Sequence, residues 1–398
     1  MIRFIFVSVL VRKFGGEKMI YLDNSATTKP FKEVLDSFVT VSSEYYGNPS
    51  SLHNMGAQAE KLLSQAREQV SKLLKVKPSE IYFTSGGTEG NNLAIKGTAL
   101  LHKNKGRHLI TSSVEHPSVR SAMEQLEQEG FEITYLPVDR YGRISVADLE
   151  SAIRKDTILI SIMHVNNEVG TVQPIEEIGD LLKKYPTILF HVDAVQSIGK
   201  IPLLLKEGRV DFCSISGHKF HGLKGTGALY IREGTRLAPL FSGGNQERKL
   251  RSGTENVAGA VAMAKALRMT LTKAETGLVR MKKIQSMLRN GLTEIEDVQI
   301  HTPHEHAAPH IINFSLKGIK SEVFIHSLEQ KGIYVSTTSA CSSKKKSPSK
   351  TLLEMGVPET LAESAVRISL SFENSIEEAI TALEGFKESA DQLRKVMK

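Results

Sequence analysis

The sequence predicts an α/β fold: a mainly parallel seven-stranded sheet flanked by helices, followed by a smaller α+β C-terminal domain. Three observations carry that expectation. From about residue 55 to 230, short β-branched runs alternate with stretches of helical periodicity. A long pattern rich in Ala, Met, Lys and Leu follows over about 256–290 and reads as one helix joining two domains. The chain is 398 residues long, beyond the ~250–300 at which one hydrophobic core stops growing.

The elements follow in order. The spacing predicts a helix over Ala57–Leu74, then a strand Glu80–Thr84 ended by a glycine pair, then a helix over Asn91–Leu101. His108–Thr111 is the next strand, with a helix over His116–Gln128 and a strand Glu132–Leu136. Thr157–Met163, Ile188–Val192, Val210–Ile215 and Gly227–Ile231 complete the seven runs. Strands separated by helices pair in parallel, with helices on both faces, and such sheets bind ligands beyond the carboxyl ends of their strands. After the long helix, strands Ile311–Leu316 and Arg367–Leu370 and helices Glu322–Gln330 and Ser375–Arg394 form the smaller region. The expected division is 19–258 for the large domain and 259–398 for the small one, with residues near 19–35 packing on the latter. Residues 1–18 stand apart. They hold a short apolar stretch with no small-residue cleavage site after it, and Met19 is expected to be the initiator.

Composition narrows the partners. Hydrophobic residues make 40% and charged residues 24%, ordinary for a globular chain, and no apolar run approaches the ~20 residues of a membrane span. The net charge of +7 admits an anionic partner. However, 51 basic against 44 acidic residues is a mixed surface without a basic run interleaved with aromatics, so direct nucleic-acid binding is not expected. Two cysteines argue against a disulfide framework and for a reducing, cytoplasmic setting. Cys213 lies in an apolar strand and reads as core, whereas Cys341 lies among serines and lysines and reads as an exposed thiol. His301, His304, His306 and His310 crowd together, but the intervening prolines point to a surface loop rather than to a metal site.

Three segments carry chemistry. Ser214-Ile-Ser-Gly-His-Lys-Phe220 ends a strand and places Lys219 in a tight turn, where a desolvated amine can attack a carbonyl. Alone, it reads more readily as a solvated loop lysine. His191-Val-Asp-Ala-Val-Gln196 ends the preceding strand with Asp193, either a partner for a protonated ring nitrogen or a simple turn carboxylate. Thr84-Ser-Gly-Gly-Thr-Glu89 offers backbone amides at a helix start, which suit phosphate. Together they make a phosphate cup, a ring-nitrogen partner and a Schiff-base lysine.

With these segments, Tyr21-Leu-Asp-Asn-Ser-Ala-Thr-Thr28, Gly47-Asn-Pro-Ser50, Glu115-His116, His164-Val-Asn-Asn-Glu-Val-Gly170, Arg251-Ser-Gly-Thr-Glu-Asn256 and Ser339-Ala-Cys341 stand in order along the chain. From about Met19 onward the sequence resembles fold-type I pyridoxal-phosphate enzymes of the class V aminotransferase group, and within it the NifS/IscS-type cysteine desulfurases. The resemblance implies a homodimer that converts L-cysteine to alanine with pyridoxal 5'-phosphate. It implies that Lys219 holds the cofactor and removes the α-proton, that Asp193 pairs with the ring nitrogen and Gln196 with the ring hydroxyl, and that His116 stacks on the ring and relays protons. Gly87, Thr88, Ser216 and His218 would hold the phosphate, with Thr254 from the other subunit, while Asn167 and Arg367 hold the substrate carboxylate. Cys341 would take the sulfur as a persulfide; a transaminase or β-lyase on the same cofactor needs no such thiol. The stretch Thr337–Lys350 resembles members that carry this cysteine on a mobile loop. Asn24–Pro30 and Thr337–Lys346 look most like a NifS-like branch that supplies a tRNA 4-thiouridine sulfurtransferase, ahead of an iron–sulfur scaffold, as the acceptor.

Overall fold

The computed structural model describes residues 19–337 and 348–397. Strand β1 (Ile20–Tyr21) opens the chain, and β2 (Ile81–Thr84), β3 (His108–Ser112), β4 (Glu132–Leu136), β5 (Thr157–Met163), β6 (Leu189–Asp193), β7 (Phe212–Ser216) and β8 (Gly227–Ile231) build a seven-stranded sheet. Its order is β2-β8-β7-β6-β5-β3-β4. All its pairings are parallel except those of β8, which runs antiparallel to both neighbours. The exception has a local cause. Only the turn Gly217–Lys219 and a short loop join β7 to β8, and a parallel return needs a longer crossover.

Both faces of this sheet are covered, and the strands show it residue by residue. Ile110, Ile160, Cys213 and Tyr230 enter one core, while their neighbours Leu109, Leu159, Phe212 and Leu229 enter another on the opposite face. That alternation is the period of two of a pleated strand, and apolar residues on both sides mark a buried parallel sheet. Cys213 is 1% exposed, as its apolar run predicts.

A second sheet of four antiparallel strands is ordered β12-β13-β10-β9, from β9 (Val298–Ile300), β10 (Ile311–Leu316), β12 (Ser336–Thr337) and β13 (Ala365–Ser369). Strand β1 leaves the N-terminal segment to pair in parallel with β11 (Ile333–Tyr334), and Ile20 and Leu22 enter the core of this second region. The helix Val257–Thr293 links the two cores. Ala262, Met263 and Leu267 pack in the first, and Met281, Ile284, Leu288 and Leu292 in the second. At 37 residues it spans about 55 Å. Asn256 caps it by accepting the Gly259 N–H at 2.9 Å.

One expectation is corrected. The histidine cluster is not a surface loop throughout: His301 is 6% exposed and bonds Ser315 Oγ at 2.7 Å, and His310 is fully buried. His301 follows β9 directly, so pairing with β10 draws it inward. Among the described residues no group of His, Cys, Asp and Glu stands close enough to hold a metal ion, and no helix is long and apolar enough to cross a membrane.

Candidate active site

Four neighbouring strands of the large sheet deliver side chains to one place. β7 ends at Ser216 and runs into the 3-10 turn that carries His218 and Lys219, and β6 ends at Asp193. β5 leads to Asn167 and β3 to His116. Their carboxyl ends border a cavity of about 230 Å³. Gly87, Thr88, His116, Asn167, Asp193, Gln196, Ser216, His218 and Lys219, all singled out from the sequence, line it together. Arg367 stands just outside, bonded to the Asn167 carbonyl at 2.9 Å. Thr254 lines a separate cavity with Phe83, Arg251 and Glu255. Cys341 lies outside the described residues.

Lys219 Nζ donates to the carbonyls of Ser25 at 2.5 Å and Ala26 at 2.9 Å. Its backbone carbonyl accepts from Lys200 Nζ at 3.2 Å. Lys200 is 5% exposed, and burial, followed by the charge of Lys219, pushes its amine down to about 7. The Lys219 turn is therefore gripped from the N-terminal segment and from a second buried amine.

Asp193 is 6% exposed and held by two neutral donors, Asn91 Nδ2 at 2.7 Å and the Val195 N–H at 3.0 Å. A buried carboxylate held by neutral donors suits a cationic ligand group. Asn91 also donates to Ser118 Oγ at 2.9 Å, and Ser118 Oγ bonds His116 Nδ1 at 2.8 Å. The Ser118 N–H donates to the same nitrogen at 3.1 Å, so Nδ1 accepts and the proton of a neutral His116 resides on Nε2. Burial holds His116 below its ordinary value; Asp193 opposes the shift and Lys219 adds to it.

The phosphate side is built around a helix start. Helix Gly87–His102 begins four residues earlier than the sequence pattern shows, which makes Gly87 and Thr88 its first residues. The first amides of a helix have no partner within it and attract anions. Gly87 has no room for a side chain, since a Cβ there would come 2.5 Å from Val195 Cγ2. His218 Nδ1 is 3.2 Å from Thr27 Oγ1, and burial pushes the ring down to about 4. Gln196 donates to the Ser25 carbonyl at 3.0 Å, while its Oε1 is buried with no protein partner among the described residues. The unsatisfied amide oxygen, the buried carboxylate, the amine and the glycine cradle together fit a phosphorylated, aldehyde-bearing pyridine.

The sequence reading missed Asn91, Ser118, Lys200 and Asp23. Asn91 and Ser118 sit within quoted helices, one helical turn or less from recognised residues, and that proximity is the signal that could have found them. Glu168 was also missed: it accepts from Ser349 Oγ at 2.5 Å and Thr351 Oγ1 at 3.1 Å.

The family model described as aminotransferase class V matches residues 20–382. A "NifS/IcsS protein homolog" of Lactobacillus delbrueckii subsp. bulgaricus is 49% identical, over 95% of this chain and 99% of its own length. "Cysteine desulfurase IscS" of Dictyoglomus turgidum is 44% identical, over 96% of both chains. A solved structure titled "NifS-like protein" is 40% identical, covering 95% of this chain and 100% of its own, with a TM-score of 0.88.

Proposed function

The chain belongs to the class V aminotransferase family and is a cysteine desulfurase of NifS/IscS type; from that premise we propose how its residues divide the work. Its cofactor is pyridoxal phosphate, which when bound supplies an electron sink for the bonds at the substrate's α- and β-carbons. Lys219 would hold it through Nζ. Asp193 would pair with its ring nitrogen, Gln196 with its ring hydroxyl, and Gly87, Thr88, Ser216 and His218 with its phosphate. His116, fixed at Nδ1 by Ser118, would stack on the ring and offer Nε2 for proton transfer. Lys219 Nζ would also take the substrate α-proton. Asn167 and Arg367 hold the substrate carboxylate.

Cys341 receives the sulfur. Its thiolate attacks the sulfur of L-cysteine, and an S–S bond forms as the C–S bond breaks. The electron pair of the broken bond goes to carbon, which is protonated and leaves as alanine. Only the thiolate attacks well, and Lys344, Lys345 and Lys346 close by in the chain favour the anion.

A second copy of the chain would complete the site with Thr254. Thr254 lies away from the Lys219 cavity in its own chain, and beside that region Val39 and Tyr46 are 62% and 71% exposed. Val41 packs inward with Val257, so Val39, two residues before it on the same helix, lies on the outward side, open to a partner subunit. The sulfur acceptor in this reading is a tRNA 4-thiouridine sulfurtransferase, ahead of an iron–sulfur scaffold, and the setting is the cytoplasm.

The observation that carries the reading is the meeting of Lys219, Asp193 and Gly87 in one cavity at the carboxyl end of the large sheet. The test is alanine release from L-cysteine with a reductant, comparing the native chain with Cys341→Ala. Alanine from the native enzyme and its loss in the variant are expected. Undiminished turnover in the variant would move the chain to a lyase or aminotransferase reading.

A further inference from the structure

Arg367 lies on β13, 4% exposed, in register with Asn313 on β10 and Ser336 on β12. Its Nη1 donates to the Asn167 carbonyl at 2.9 Å, and its Nη2 to Asp23 Oδ1 at 3.0 Å. Its Nε is buried and has no partner among the described residues. Bidentate capture of a carboxylate takes two parallel N–H groups of one guanidinium. The terminal pair here already has two acceptors: a backbone carbonyl fixed in the turn after β5, and a side chain that can rotate.

We propose that Asp23 is a resident stand-in for the substrate carboxylate, pairing with Arg367 until an amino-acid carboxylate displaces it, and so a specificity-determining residue of the site. This rests on the reading that Arg367 receives that carboxylate. The positions fit the role. The Asp23 side chain is 20% exposed against 5% for Arg367, so the acid sits on the more open side of the pair. It directly precedes Asn24, Ser25 and Ala26, and the last two carbonyls take the Lys219 amine. The acid is also held at a cost: burial raises its carboxyl above the ordinary range although the Arg367 guanidinium pulls it down. Because its carboxyl is raised, a displaced Asp23 can take up a proton and need not remain as a buried unpaired charge. In return Arg367 never stands as a buried, uncompensated cation open to any small anion.

The test is a titration of the purified holoenzyme's cofactor absorbance with the product L-alanine, which carries the α-carboxylate and amine but no thiol. It is made with and without sodium acetate. In Asp23→Asn the dissociation constant for L-alanine should fall by about tenfold, the scale of one charge-assisted hydrogen bond removed from competition. Acetate should compete in this variant and should not compete in the native enzyme. Asp23→Ser, which leaves a hydroxyl for Nη2, is the second variant and should shift in the same direction. Unchanged or weaker L-alanine binding in both variants overturns the proposal and makes Asp23 an orienting group for Arg367. Arg367→Gln separates the two levels. If it binds L-alanine as the native enzyme does, the placement of the carboxylate on Arg367 fails. If it loses binding while the Asp23 variants gain none, only the stand-in role fails.

Discussion

On one side of the cavity, Asp193, Ser216 and Lys219 stand at the ends of adjacent parallel strands; beyond Asn167, the Arg367 guanidinium, the Asp23 carboxylate and a backbone carbonyl meet from three parts of the chain. The first group is assembled by one sheet: Asp193 and Ser216 end their strands and Lys219 follows in the turn after Ser216. The second needs both sheets. Arg367 bonds partners 200 and 344 residues away in sequence, and Asp23 reaches it because β1 pairs with β11 in the second region. The large sheet therefore places the cofactor-side residues, and the N-terminal segment adds the carbonyls of Ser25 and Ala26 that hold the Lys219 amine. The substrate side is set only when the N-terminal segment has docked on the second core.

This contrast can be broken or sharpened by substitution. The largest effect is expected on the single-sheet side. Asp193→Asn keeps the hydrogen-bonding shape but removes the buried charge, and alanine formation should fall by about 10²–10³-fold, the scale of losing one preorganised electrostatic partner. Cofactor should stay bound, read from its absorbance. Unimpaired turnover would mean that Asp193 is a turn carboxylate after all. The Asp23 variants come next, with a change in binding rather than in the chemical step.

The smallest effect concerns Glu115, which ties β3 to β5 under the site. It is 8% exposed and accepts from Ser112 Oγ at 2.6 Å and the Met163 N–H at 3.0 Å. Burial pushes its carboxyl up to about 8. The unfolded chain ionises this group in the ordinary carboxylate range, whereas the folded chain keeps it neutral until near 8. Its stabilising contribution is thus fully present below the unfolded value and is lost as pH rises through the folded one. Denaturant midpoints of the native enzyme should fall between about pH 5 and pH 8, and less so in Glu115→Gln. Equal slopes would show that Glu115 ionises normally.

These differences also explain what the sequence made legible. Alternation of strand and helix patterns located every strand of the large sheet, because the runs are short and apolar and the central ones are buried on both faces. Asp193 and Ser216 proved to be the last residues of their strands rather than residues just beyond them. The start of the helix at Gly87 was hidden. Glycine is a poor helix former, and the close approach of Val195, a tertiary fact, is what requires it there. Asp23 and Lys200 were invisible for the same reason. Nothing local marks an acid near the N-terminus as the partner of an arginine on β13, or a lysine after a glycine as a donor to the Lys219 carbonyl. His301 and His310 show the reverse error, since proline-flanked polar residues look exposed until strand pairing buries them.

The central claim is that L-cysteine leaves its sulfur on Cys341. The direct measurement is mass spectrometry of the holoenzyme after reaction with L-cysteine in the absence of reductant and acceptor, followed by peptide mapping. The account predicts a gain of one sulfur atom on the peptide that carries Cys341 and none on the peptide with the buried Cys213. Alanine formed with free sulfide and no added sulfur on Cys341 would contradict it.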